Sequence, residues 1–132
     1  MTKREFLRTR RHKARYQPRF ELLEDRCVPA ALLTVNSTLD TNARDTVLTL
    51  REAILVNNRA LAVVSLTLDE QAQVSGAPTD VDTDTINFNL GAGTPLIAVP
   101  TALPTITDPV MIDGATGGAT RVHLRGPGFS PF

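Results

Sequence analysis

Asp45-Thr46-Val47-Leu48-Thr49-Leu50-Arg51-Glu52-Ala53-Ile54-Leu55-Val56-Asn57-Asn58 is the stretch on which the fold turns. Thr49 and Glu52 stand at the spacing of a capping box. In that motif the Thr hydroxyl accepts from the N–H of the third helical residue, and the Glu carboxylate accepts from the N–H of the Thr. Leu48 before the cap and Ala53 after it form a small hydrophobic staple. Leu50, Ala53, Ile54 and Asn57 fall on one face at i, i+3, i+4 and i+7, and Asn57 or Asn58 is expected to supply a left-handed stop. A helix this short does not hold itself in water, so its apolar stripe must cover something. The expected partner is the open end of a stack of β-strands; a plain surface helix of a small mixed domain is the alternative.

Downstream, a second capping box, Thr67-Leu68-Asp69-Glu70, opens a helix expected to run to about Val74, with Gly76 ending it and Pro78 beyond. Between the two helices, Leu61 to Leu66 is apolar, and periodicity does not choose between strand and helix. Upstream, Leu32-Leu33-Thr34-Val35 is β-prone. Polar turn residues follow from Asn36 to Asp45, including the glycosylation-type triplet Asn36-Ser37-Thr38.

From Thr85 a rhythm sets in. Thr85–Phe88, Leu96–Val99, Val110–Asp113 and Val122–Leu124 are β-prone segments separated by Gly, Pro, Asp and Thr. Ile86 and Ile112 lie 26 positions apart, and Ile97 and Val122 lie 25 apart. A period in this range, with strands as its units, is the pattern of a parallel β-helix. Pro95, Pro100, Pro104 and Pro109 bracket the segments, where the missing N–H does least harm. The fold class expected is mainly β with short helices: an N-terminal cap followed by the first coils of a right-handed parallel β-helix, with a small β-sandwich as the alternative. Residues 1–30 are expected to form a basic, largely disordered targeting head, 31–84 the first strand and capping helices, and 85–132 the first coils. Two coils without a second cap lead to the expectation that the chain is the N-terminal part of a longer architecture.

Composition narrows the chemistry. Trp is absent and aromatics make up 5% of the 132 residues, so the core is built from Val, Ile, Leu and Ala. The net charge of zero hides an asymmetry. Residues 1–26 carry nine bases against four acids, and the remainder carries five bases against ten acids. One cysteine, Cys27, excludes an internal disulfide framework and a multi-cysteine metal site. No apolar run reaches the length of a membrane span. The head has no apolar centre of the kind a secretory signal requires. Its charges suit phosphate contacts, but Tyr16 is its only Tyr or Trp and the body is acidic; no nucleic-acid partner is expected.

Two motifs carry a resemblance. Arg19-Phe20-Glu21-Leu22-Leu23-Glu24-Asp25-Arg26, then Val28-Pro29-Ala30, resembles the N-terminal motif of large extracellular proteins of planctomycete bacteria. Leu48-Thr49-Leu50-Arg51-Glu52-Ala53-Ile54 is similar to the Cys-Ser-Leu-Arg-Glu-Ala motif that opens many bacterial right-handed β-helix surface proteins, with Leu48 where that family often has Cys. Asp84 to Phe88 and Leu103 to Gly114 are similar to the first coils of the same proteins. The resemblance implies export to the cell surface and a pectin-lyase-like fold, mostly in proteins of undemonstrated activity.

Candidate sites are few. Asp80, Asp82 and Asp84 alternate as carboxylates do at the start of a Ca²⁺ loop, but Thr85 and Gly91 stand where an EF-hand needs its turn glycine and its bidentate Glu. These three are kept as a looser Ca²⁺ candidate. Asp108 and Asp113 are the only acids after Asp84, and each sits beside Pro or Gly in turn context. Arg121 and Arg125 flank His123 without nearby acids. No catalytic residues, cofactor or nucleophile motif emerges. The expectation is a non-enzymatic, exported, adhesin-like module that meets a carbohydrate or protein partner, whose capping residues are Thr49, Glu52, Thr67 and Glu70. A fragment of a polysaccharide lyase or hydrolase is the alternative.

Overall fold

A computed structural model describes residues 30–128; the expected basic head and its motif lie outside the described residues. The described chain is β-rich with short helices. In order it forms β1 (Leu32–Val35), α1 (Leu50–Asn57), a 3-10 turn (Val63–Ser65), α2 (Leu68–Gln71), β2 (Val74–Ser75), β3 (Asp84–Phe88), β4 (Leu96–Ala98), β5 (Val110–Asp113) and β6 (His123–Arg125).

Two small sheets result, one ordered β2-β1-β3-β5 and one pairing β4 with β6. β1, β3 and β5 run parallel, with Leu33 beside Ile86 and Ile86 beside Ile112. β4 and β6 are also parallel, with Ile97 beside Leu124, and a parallel bridge joins Gly93 to Ala119. Sandwiches of the immunoglobulin kind pair their strands antiparallel; here the one antiparallel strand pair among the described residues is β1–β2. The β3–β5 and β4–β6 pairings join residues 26 and 27 positions apart, as the sequence rhythm anticipates for Ile86 and Ile112, whereas β1 and β3 pair across 53 positions. For the second pair the partner of Ile97 is Leu124, not Val122. Val122 falls before β6 and stays half-buried against the core.

The alternation along β3 sets the inside. Asp84, Ile86 and Phe88 are buried while Thr85 and Asn87 are only partly covered. Leu33 and Val35 of β1, Ile97 of β4, and Leu48, Leu50, Ala53, Ile54 and Val56 around α1 join Ile86 and Phe88 in one cluster. Each buried Val, Leu, Ile or Phe side chain contributes about 1.5–3 kcal/mol through burial. The stretches on either side of residue 84 thus share one sheet and one core. α1 is not a surface ornament: its apolar stripe is a wall of that core, and the staple pair Leu48 and Ala53 is fully buried.

Two local expectations need correction, and one open stretch is resolved. The second helix stops at Gln71 with Ala72 as its C-cap, and Val74–Ser75 instead lies antiparallel against β1, with Leu33 beside Val74. The open edge of β1 needs hydrogen-bond partners, and the Thr34 N–H also donates to Gln73 O at 2.9 Å; that demand outweighs helical continuation. The left-handed residue after α1 is Arg59 (φ 57°), while Asn58 keeps a right-handed conformation (φ −71°). Arg59 N–H donates to Val56 O and Ala60 N–H to Leu55 O, both at 2.9 Å, which is a Schellman closure with arginine where glycine is usual. Leu61–Leu66, undecided from sequence, makes a 3-10 turn at Val63–Ser65 that delivers Leu66 into the core.

Candidate functional site

Both capping boxes form as spaced. Glu52 Oε2 accepts from Thr49 N at 2.9 Å and Glu70 Oε2 accepts from Thr67 N at 2.7 Å, while the two Thr hydroxyls accept from the Glu N–H groups. Each hydroxyl also donates outward: Thr49 to Thr41 O and Thr67 to Asp45 O. The loop before α1 is thereby bound to both helix starts. Sequence reading names these four residues but misses what joins them. Arg44 donates to Glu52 Oε1 at 2.9 Å and to Glu70 Oε2 at 3.2 Å, so one guanidinium neutralises two fully buried carboxylates. Asp45 N–H adds a bond to Glu70 Oε1 at 3.1 Å. Burial still pushes the Glu52 carboxyl above its ordinary range, against the pull of Thr49 and Arg44.

A second arginine ties the helix to the strands. Arg51 grips Asp40 with two bonds of 2.9 and 2.8 Å, and its guanidinium also donates to Ala102 O and Thr101 O. Asn58 bridges the same connection, donating to Thr105 O at 2.7 Å and accepting from Thr107 N at 3.0 Å. Buried Asn57 reaches Asp108 O, and Arg59 Nε meets Asp108 Oδ2 at 3.0 Å. One face of α1 thus packs on the core while its polar residues clamp the link between β4 and β5.

The Ca²⁺ candidate does not assemble. Asp84 turns inward and accepts from Ala31 N at 2.7 Å, with Oδ2 buried and unpartnered. Asp80 pairs with Arg59 at 3.2 Å, and Asp82 folds back on Thr79. Among the described residues no three His, Cys, Asp or Glu side chains gather as metal ligands do. Desolvation pushes the Asp84 carboxyl above its ordinary range, although the Ala31 N–H pulls the other way. Asp108 and Asp113 are likewise committed, the first to Arg59 and the second to Ala115 N at 2.9 Å.

At the far side the interior lies open. Ile86 and Ile97 are fully buried, but their register partners on the adjacent strands, Ile112 and Leu124, are 43% and 53% exposed. The outer edges of β5 and β6 bear no further strand among the described residues. By contrast the opposite edge of β1 is blunted by β2, a two-residue antiparallel strand, the kind of short cover that protects sheet edges. On the outward face of β6, His123 and Arg125 stand beside Leu96 and Ala98 of β4. No described helix is long and apolar enough to cross a membrane. No protein-family model, curated protein or solved structure matches the chain.

Proposed function

We propose that the chain is a structural module of an exported surface protein: the closed end and first coils of a right-handed parallel β-helix, whose job is to start a stack and present its flanks, not to catalyse. The observation that carries this reading is the asymmetry of the two ends. Parallel pairs at 26 and 27 positions extend both sheets in one direction, with Ile112 and Leu124 left as bare interior residues. In the other direction α1, β2 and the Arg44 network seal the core. Solenoids need such a terminal cap, and each rung gains stability from the next. Right-handedness follows from the strong rule for parallel crossovers. Export is supported by the resemblance of the Arg19–Ala30 and Leu48–Ile54 motifs.

The test is to extend the full chain by one more coil patterned on residues 100–125 and to measure thermal stability and amide exchange. On this reading the midpoint rises and the β5 and β6 amides gain protection. An extension that hangs free, leaving both quantities unchanged, rejects it. Fractionation of an expressing bacterium tests the surface assignment separately.

A further inference from the structure

Asp84 is fully buried at the start of β3, and no described cationic side chain pairs with it. Its Oδ1 accepts from Ala31 N–H at 2.7 Å, while Oδ2 is buried without a hydrogen-bond partner among the described residues. Desolvation pushes the carboxyl up, the Ala31 and Thr79 N–H groups pull it down, and the charges of Asp108 and Asp82 push it up again. Arg59, the cation nearest in this network, is committed to Asp80 and Asp108. The carboxylate therefore lacks a counter-ion, and its bonded donor is one backbone nitrogen.

That nitrogen stands at a boundary. Ala31 is buried, and its carbonyl accepts from Thr85 N at 2.8 Å, so β3 holds both of its backbone polar groups. Ala30, one residue earlier, is exposed. The bond between them follows Val28-Pro29-Ala30, which puts compact uncharged side chains at the first and third positions before it. Processing peptidases of the A-x-A kind require that pattern at the bond they cut.

We propose that the Ala30–Ala31 bond is a processing site, and that the α-ammonium freed there becomes the counter-ion of Asp84. Hydrolysis consumes one water: the C–N bond breaks, the Ala30 carbonyl carbon leaves as a carboxylate, and the Ala31 nitrogen becomes an ammonium. The cut precedes the docking of β1, because Ala31 is buried afterwards. No backbone has to move for the pair to form. The nitrogen already lies at 2.7 Å from Oδ1, the range of a charge-assisted bond. An ammonium brings three donors where the amide brings one, so Oδ2 gains a partner as well. The inference rests on the reading of the chain as an exported module, because it adds a step to that module's maturation.

The test uses the full chain with residues 25–30 replaced by Glu-Asn-Leu-Tyr-Phe-Gln. Co-expression with the protease that cuts after this sequence leaves Ala31 first, checked by intact mass; omitting the protease leaves the chain uncut. Asp84→Asn is measured in both forms. In the uncut chain it removes an uncompensated charge and should raise the melting point at pH 7. In the cut chain it leaves an ammonium without its partner and should lower the melting point. Residues 31–132 hold no lysine, so an amine-acylating ester reports on the α-amine alone. Pairing should raise that amine about one unit above its usual 7.7–8.0 and slow acylation about tenfold relative to the Asp84→Asn chain. The cut chain's advantage over the uncut one should fade as pH rises through that raised value. A higher melting point for Asp84→Asn in both forms, or equal acylation rates with and without the carboxylate, overturns the ion pair. In the bacterial fractionation, the unaltered chain should begin at Ala31 by intact mass. A surface-located chain that keeps residues 1–30 overturns the processing step and leaves the module standing.

Discussion

Arg44 Nη2 lies 2.9 Å from Glu52 Oε1, and Glu52 is completely buried. The same guanidinium reaches Glu70, so the caps of two helices far apart in sequence share one counter-charge. Removing it strands two carboxylates. Arg44→Met should therefore destabilise the protein by about 2–3 kcal/mol; the figure lies below that of a fully buried pair because Arg44 is partly exposed. Urea unfolding measures the loss. Adding Glu52→Gln and Glu70→Gln to Arg44→Met should recover most of it, and failure to recover would show that the arginine acts through packing alone.

Burial raises the carboxyls of Asp84 and Glu52 above their ordinary range. Raised folded values bind protons more readily than the unfolded chain does. Their stabilising contribution is complete below about pH 4, where both states are protonated, and drains away as pH climbs through the folded values. Asp84→Asn keeps an oxygen for Ala31 N–H and carries no charge. The variant should melt above the wild type at pH 7, with the gap closing toward pH 3.5. Melting curves that stay parallel across that range contradict the assignment.

Arg59 occupies the left-handed position of the α1 closure, where a side chain costs about 1–2 kcal/mol. Its bonds to Asp80 and Asp108 are half-exposed and offset part of that. Arg59→Ala loses the pairs and keeps the strain, whereas Arg59→Gly loses both. The glycine variant should exceed the alanine variant by about 1 kcal/mol in chemical denaturation. Equal stabilities would mean the loop relaxes out of the left-handed region.

Gly117 (φ +64°) lies so close to the end of β3 that an added Cβ would sit 2.3 Å from Phe88 O and 2.6 Å from Asn89 Cα. The adjacent Thr116 hydroxyl accepts from Phe88 N at 2.7 Å. Backbone meets backbone here, and no side chain can move aside. Gly117→Ala should cost about 3 kcal/mol or more, while Gly91→Ala, with nothing within 4 Å but a similar φ of +89°, pays only the strain. Comparable losses at the two sites would refute the close approach of Gly117 to the end of β3.

The parts readable from sequence were those set by near neighbours. A capping box closes within three residues, so Thr49–Glu52 and Thr67–Glu70 could be placed without knowing the fold. The 26-position interval was visible because Ile86 and Ile112 both had to face inward. β2 was not: two residues carry no period, and only the edge of β1 gives them a partner. Arg44 looked like one more polar turn residue, since Glu70 is 26 positions away. Asp84 is more instructive. The alternation that aligned it with Asp80 and Asp82 also aligns it with Ile86 and Phe88, and the latter grouping prevails because β3 begins at Asp84.

The parallel pairing of β3 with β5 and of β4 with β6 is tested most directly by nuclear Overhauser contacts in the full chain, with methyl-labelled isoleucine and leucine. The structure predicts methyl contacts between Ile86 and Ile112 and between Ile97 and Leu124, together with parallel cross-strand amide patterns along both pairs. Antiparallel Hα–Hα contacts between β3 and β5, or the absence of any contact between Ile97 and Leu124, would contradict the account.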